Sequence, residues 1–326
     1  MPITAVTKDP EKLEMTVVAD FAAPLQRLWD AYTDPRQLEK FWGPPTYPSK
    51  FVRHDVFPGG FSHYVMTGPE GDSHAGYWAW VAVTPPAGGH ASFEVRDGFA
   101  NPDFSPVTEM PSMRMVFAFS STETGSRLTT TSYFDSAEQL QQLLDMGAEE
   151  GMREAMAQID DVLADLRSYA AGIGTEVDLL SDTQIRVTRI VRGTVEQVWR
   201  AHMDPELQKQ WMTGPDGWEM ITAEPADTVG AIARTEWAEL DGSNRFGFIS
   251  ETLEVDAPHR AVTTERMIGT DGPSTTNELT LTAQETGTLV SIVITYPSVE
   301  LRDEVISTGM VDGMESSFAR LERVLA

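Results

Sequence analysis

Ala23-Pro24-Leu25-Gln26-Arg27-Leu28-Trp29-Asp30-Ala31-Tyr32-Thr33-Asp34-Pro35 decides the fold, because the chain carries a second version of it. That version is Gly193-Thr194-Val195-Glu196-Gln197-Val198-Trp199-Arg200-Ala201-His202-Met203-Asp204-Pro205. Trp29 maps to Trp199, Ala31 to Ala201, and Asp34-Pro35 to Asp204-Pro205. The ends repeat too: Met146-Gly147-Ala148-Glu149-Glu150-Gly151-Met152 aligns with Thr308-Gly309-Met310-Val311-Asp312-Gly313-Met314. Matching order and spacing at both ends mark an internal duplication. The copies run roughly over 10–168 and 181–326. As domains they occupy 1–170 and 181–326, with the small, Gly-containing stretch 171–180 as linker. A length of 326 residues suits two domains of about 150 residues each.

Each copy shows the same element order. A strand (Leu13–Ala19; Gln184–Val191) is followed by two short helices, the second begun by Asp-Pro, a good helix-start pair. About six strands come next. Their alternation is clear where Met113, Met115, Phe117 and Phe119 oppose Arg114, Val116 and Ala118. A long amphipathic helix closes each copy. In the first its stripe is Leu140, Leu144, Ala148, Ala155, Ile159, Val162 and Leu166. The expected class is α+β: a curved antiparallel sheet of six or seven strands wrapped around a long C-terminal helix.

Composition narrows the function. The net charge is −26, which repels phosphate backbones and anionic lipids, so neither nucleic acid nor membrane is an expected partner. Solubility explains such a surface; a cationic ligand or partner is the functional alternative. There are no cysteines, which removes disulfides and thiolate chemistry. No apolar run spans a bilayer and no signal peptide is evident, so a cytoplasmic location is expected by default. The six histidines form no helical metal pair, and neither a metal nor a cofactor is expected. Nucleophile, phosphate-loop and dinucleotide motifs do not occur.

Taken together, these motifs make the chain resemble the START-like helix-grip (SRPBCC) superfamily. Within it, the likeness is to the type homologous to the heat-shock ATPase activator, in tandem. The residues carrying the likeness are Pro24, Trp29, Ala31 and Asp34-Pro35, the turn Pro58-Gly59-Gly60-Phe61, Val83–Pro86, and the terminal glycines. The resemblance implies fold more than activity. It implies a cavity between helix and sheet for a hydrophobic, aromatic or polyketide-like molecule, in a carrier, sequestration or biosynthetic accessory role. It also allows a cyclase, aromatase or hydrolase, or a co-chaperone-like interaction module.

The candidate lining of copy one is Trp42, Tyr64, Met66, Trp78, Trp80, Phe93, Met113, Met115, Phe117, Met152 and Met156. For copy two it is Trp211, Trp218, Trp237, Phe246, Phe248, Met310 and Met314, with Met267 and Phe318 beside them. Ordinary core packing accounts for at least half of these side chains. Gly147 and Gly151, four apart, are expected on one helix face, each costing about 1 kcal/mol relative to Ala; they serve close helix–sheet approach or a kink, or leave room above the sheet, and these readings are compatible. His74 is a possible polar contact. The strand charges Glu94, Arg96, Arg114, Arg234, Glu236, Glu251, Glu265 and Arg266 are expected mostly in solvent. Copy one, with its extra tryptophans and Gly59-Gly60, is expected to hold the larger and more aromatic interior; copy two has Val229-Gly230 and Met212 at the corresponding places.

Overall fold

The computed structural model describes residues 3–110, 112–145, 147–165 and 174–326. The chain divides into two compact units, Met1–Leu166 and Arg167–Ala326. Unit one begins with β1 (Ile3–Asp9), β2 (Glu14–Phe21), α1 (Leu25–Thr33) and α2 (Pro35–Leu38). Its remaining strands are β3 (Ser49–His54), β4 (Phe61–Thr67), β5 (Ser73–Ala87), β6 (His90–Ala100), β7 (Met113–Thr122) and β8 (Gly125–Tyr133). It ends with α3 (Ala137–Asp145) and α4 (Ala148–Ala164).

Unit two repeats the plan. β9 (Glu176–Leu179), β10 (Gln184–Val191), α5 (Val195–Met203) and α6 (Pro205–Trp211) open it. β11 (Trp218–Glu224), β12 (Ile232–Glu239), β13 (Arg245–Asp256), β14 (Arg260–Met267), β15 (Thr275–Gln284) and β16 (Gly287–Thr295) follow. α7 (Val299–Ser307) and α8 (Met310–Leu325) close it. Each unit is one eight-stranded antiparallel sheet, ordered β1-β2-β8-β7-β6-β5-β4-β3 and, taken from the opposite edge, β11-β12-β13-β14-β15-β16-β10-β9. The sequence leads to six or seven strands; the eighth is the short edge strand, β1 or β9, that pairs with the first core strand. β9 therefore occupies part of the stretch read as linker, whose residues 171–173 lie outside the described residues.

The Asp-Pro pairs act as the motif requires. Asp34 accepts a hydrogen bond from the Arg36 backbone N–H, and Asp204 from those of Glu206 and Leu207. Proline at the first turn supplies the fixed φ and needs no partner for its nitrogen. On β2 the residues Met15, Val17, Ala19 and Phe21 are buried on one face, which the period of two dictates.

The closing helix is not continuous in either unit. Gly147 and Gly309 stand at the N-caps of α4 and α8 with φ of +83° and +82°, a left-handed conformation that glycine adopts without a Cβ clash. Gly147 thus serves the backbone turn between α3 and α4 and shares no helix face with Gly151. Leu140 of α3 packs with Met15 and Phe134, while Met156, Ile159, Val162 and Leu163 of α4 join the main core. Leu166 and Met146 lie outside the described residues. Among the described residues no helix is long and apolar enough to cross a membrane.

Candidate functional site

The inner face of the unit-one sheet is one continuous aromatic core. Trp78, Phe93 and Phe117 are almost completely buried, with Trp80 and Met115 beside them. Phe93 stacks on Phe117 with centroids 4.5 Å apart, and Trp42 meets Trp78 edge-on at 4.5 Å. The indole of Trp80 is hydrogen-bonded, while that of Trp42 is buried without a hydrogen-bond partner among the described residues. Trp80 Nε1 donates to Ser62 Oγ at 2.8 Å, and His54 Nδ1 shares that hydroxyl at 2.8 Å. Of the residues expected to line this interior, Tyr64, Trp78, Trp80, Phe93, Met115, Phe117 and Met156 lie within one buried cluster. Trp42, Met66, Met113 and Met152 pack against it half-buried. Met113 and Met152 also touch the small cluster under α3, so they bridge the two.

A carboxyl also enters this aromatic region. Asp97 follows Ala91, Phe93 and Val95 on the inward parity of β6. The Tyr64 hydroxyl and Trp78 Nε1–H donate to its Oδ1 at 3.2 and 2.9 Å. Burial pushes its carboxyl up to about 6, against the pull of those two donors. Tyr64 in turn rises well above the usual phenol value, chiefly by burial and then by the nearby Asp97 charge. Gly76 makes room for this: a Cβ there would stand 2.4 Å from the Tyr64 ring. Asp97 was not among the sequence candidates, although the alternation that places Phe93 inward also places Asp97 inward.

Strand register gives the equivalents in unit two. In unit one Ala19 pairs with Leu128, Leu128 with Phe119, Phe117 with Phe93, Met115 with Val95, Met113 with Asp97, and Asp97 with Trp78. In unit two Arg189 pairs with Val290, Val290 with Leu281, Leu279 with Ala261, Asn277 with Thr263, Thr275 with Glu265, and Glu265 with Ser250. Counting along both ladders puts Ala261 at the place of Phe93, Asn277 at Met115, and Leu279 at Phe117. Ser250 stands at the place of Trp78, Thr252 at Trp80, and Glu265 at Asp97. Small and polar side chains therefore replace the largest rings of unit one.

Packing follows from this exchange. Ser250, Thr263, Asn277, Leu279 and Ile292 face the helix side yet each keeps partial solvent access, where Trp78, Val95, Met115, Phe117 and Thr130 are buried. The apolar matter of unit two is divided. Trp211 and Phe318 lie in one cluster, with Met314 against it. Met310 and Met314 border a second, and Trp218, Trp237, Phe246 and Phe248 form a third with Met220. Arg189 stands on β10 between the first two. Its guanidinium pairs with Glu315 and lies 3.6 Å from Glu322 Oε2, both on α8. Copy one has the more aromatic interior, as expected, and its Trp78 and Trp80 are buried within the core cluster.

Glu265, expected in solvent, faces inward. Desolvation raises its carboxyl above the ordinary range, opposed by a hydrogen bond with Asn277. Tyr296 lies close enough for this charge to raise its hydroxyl pKa further, after burial. No cationic side chain of the described residues pairs with Glu265. Its diagonal neighbour on the same sheet face is Phe248, which meets Trp237 at 6.1 Å and Phe246 at 6.0 Å between centroids. The Trp237 indole N–H donates to the Met212 carbonyl at 2.6 Å, fixing the ring.

Other candidates stand apart. His74 is exposed and lies 3.1 Å from Asp72 Oδ2, away from the aromatic core. Arg114 faces outward and pairs with Glu94 at 2.8 Å, as its parity demands. A Cβ at Gly151 would meet no atom within 4 Å. Among the described residues no cluster of three His, Asp or Glu side chains is arranged for a metal.

Comparison with known proteins places the architecture. The family model described as Activator of Hsp90 ATPase homolog 1-like protein matches residues 22–164 and again 192–326. Protein Ms6760 from Mycobacterium smegmatis is 48% identical over 50% of this chain and 98% of its own, with a TM-score of 0.46. A protein from Arthrobacter aurescens is 42% identical over 50% of this chain and 92% of its own, with a TM-score of 0.46. The AHSA1-like protein from Aeromonas hydrophila is 20% identical over 43% of this chain and 94% of its own, at 0.36. No curated protein matches the chain.

Proposed function

Because this chain belongs to the Activator of Hsp90 ATPase homolog 1-like family and carries its domain twice, we propose that it binds an apolar, aromatic small molecule between helix and sheet, and that unit two is the binding unit. The observation carrying this reading is the exchange at the sheet centre. Where unit one places Trp78 and Phe93, unit two places Ser250 and Ala261. With that side-chain volume removed, Ser250, Thr263, Asn277 and Leu279 of the inner face keep partial solvent access, while Ala261 and Thr252 stay buried. Aromatic rings at the β12–β13 end and the methionines of α8 border it, the usual composition of a small-molecule site. Carriage or sequestration of the molecule fits a site with an anchor but no nucleophile motif.

The test is titration of the full chain with Nile red, a neutral dye whose emission rises in apolar surroundings. Saturable binding is expected. Ser250→Trp, which restores the ring that unit one carries, is expected to lower affinity at least tenfold. Dye binding unchanged by Ser250→Trp, or no saturable binding, overturns the reading.

A further inference from the structure

The charge balance of the unit-two interior is incomplete. Glu265 is a desolvated carboxyl whose hydrogen-bond partner, Asn277, is neutral, and no described cation meets it. A carboxylate taken from water without a counter-charge is costly, and removing the cost takes a cation or a proton. The raised pKa of the protein by itself reflects the second option. The first needs a ligand.

Three features around Glu265 select what kind. Glu265 as a residue keeps partial solvent access, which leaves a route for a ligand group to its carboxyl. Phe248 lies diagonally across the sheet from it, and Trp237 and Phe246 continue the same face. Aromatic faces attract cations through the ring quadrupole. The chain as a whole carries a net charge of −26, a field that concentrates cations and repels anions. Unit one lacks this combination: Asp97, at the same register position, already accepts from Tyr64 and Trp78 and is walled by rings.

We propose that unit two recognises an organic ammonium, a protonated amine on an aromatic or apolar body, with Glu265 as its counter-ion and the Trp237, Phe246 and Phe248 face as its aromatic wall. This rests on the binding reading above and specifies the ligand class for that same site. The expected pose sets the ammonium against Glu265, with the body toward Phe248 and the rings of β12 and β13 beyond it.

Calorimetry on the full chain at pH 7.5 tests it, with 2-phenylethylamine as the cationic probe. 2-Phenylethanol is the neutral analogue and 3-phenylpropionate the anionic one. The amine is expected to bind at least tenfold tighter than the alcohol, and the propionate weakest. Glu265→Gln is expected to bring the amine down to the affinity of the alcohol. Phe248→Leu, which keeps the carboxyl, is expected to weaken the amine severalfold. Equal binding of amine and alcohol, a preference for the propionate, or an amine preference that survives Glu265→Gln overturns the proposal. If Nile red still binds saturably in a Ser250-dependent way, only the ammonium assignment falls. If neither dye nor probe binds, both fall.

Discussion

Units one and two share a fold, a strand order and an inward carboxyl at one register position, yet they fill their interiors differently. Unit one joins most of its helices and sheet through one large cluster that runs from Val17 to Leu163, with a small second cluster around Leu140 under α3. Unit two breaks the same region into clusters around Trp211, Ile185 and Met220, with Arg189 and Glu265 among them. The backbone ladder is what both keep. Side-chain volume is what they exchange. On the proposed reading, the filled copy carries stability and the more accessible one the ligand, since a ligand site needs the very contacts that a core would otherwise close.

The sharpest way to break this comparison is to truncate equivalent positions. Trp78→Ala in unit one removes a fully buried ring in contact with Trp42, Trp80, Phe93 and Phe117. It is expected to cost about 3–5 kcal/mol in denaturant unfolding, from lost transfer energy plus an uncollapsed cavity. Ser250→Ala, at the same register place in unit two, is expected to change stability by under about 0.5 kcal/mol. Similar costs at the two positions would show that both interiors are packed alike.

The two inward carboxyls give a second contrast, read by pH. Asp97 has its ordinary value of 3.8 raised to about 6 by burial. The folded state then holds more protons than the unfolded one between those values, so this group's contribution lowers stability as pH rises from about 4 to about 6. At full burial the displacement corresponds to about 3 kcal/mol; with partial solvent access, on the order of 1–2 kcal/mol is expected. Asp97→Asn still offers an oxygen to Tyr64 and Trp78. At pH 7 it is expected to be more stable than the parent by that amount, with the difference vanishing near pH 4. Urea midpoints at pH 4 and pH 7 decide; equal differences at both would assign the effect to something other than ionisation.

Much of this is legible in the sequence, and the exceptions have physical causes. The duplication, the α+β class and the Asp-Pro helix starts follow from spacing and from residues whose local conformations are nearly obligatory. Asp97 is legible too: it shares parity with Phe93, and only the habit of assigning strand charges to solvent hides it. Glu265 escapes for the same reason. The exchange of Trp78 for Ser250 is not legible, because the two residues are equated only through cross-strand pairing, Asp97 with Trp78 and Glu265 with Ser250, which the sequence does not print. Tryptophans also have no intrinsic direction: the same rings that suggest a lined space in copy one are those that fill it. The edge strands β1 and β9 have no fully buried residue, so hydrophobic alternation is weakest where they lie.

The terminal glycines supply the smallest contrast, and it lies within one helix. Spacing alone puts Gly147 and Gly151 four apart and invites a single explanation. The backbone separates them. Gly147 has φ +83°, where a Cβ costs about 1–2 kcal/mol, so Gly147→Ala is expected to destabilise by about 1 kcal/mol. Gly151 sits inside α4 with helical backbone, and a Cβ added there would have no atom within 4 Å. Gly151→Ala therefore removes a flexible helix residue without a clash and is expected to stabilise by up to about 1 kcal/mol. Gly151→Leu extends the argument, since a larger side chain reaches beyond that first contact distance. If it keeps the gain, the space above Gly151 is free; a loss of about 1–3 kcal/mol would mean that the branched end meets packed neighbours. Thermal melts of the three variants, each against the parent, measure both signs in one experiment. A destabilised Gly151→Ala would remove the distinction between the two glycines and return them to one structural role.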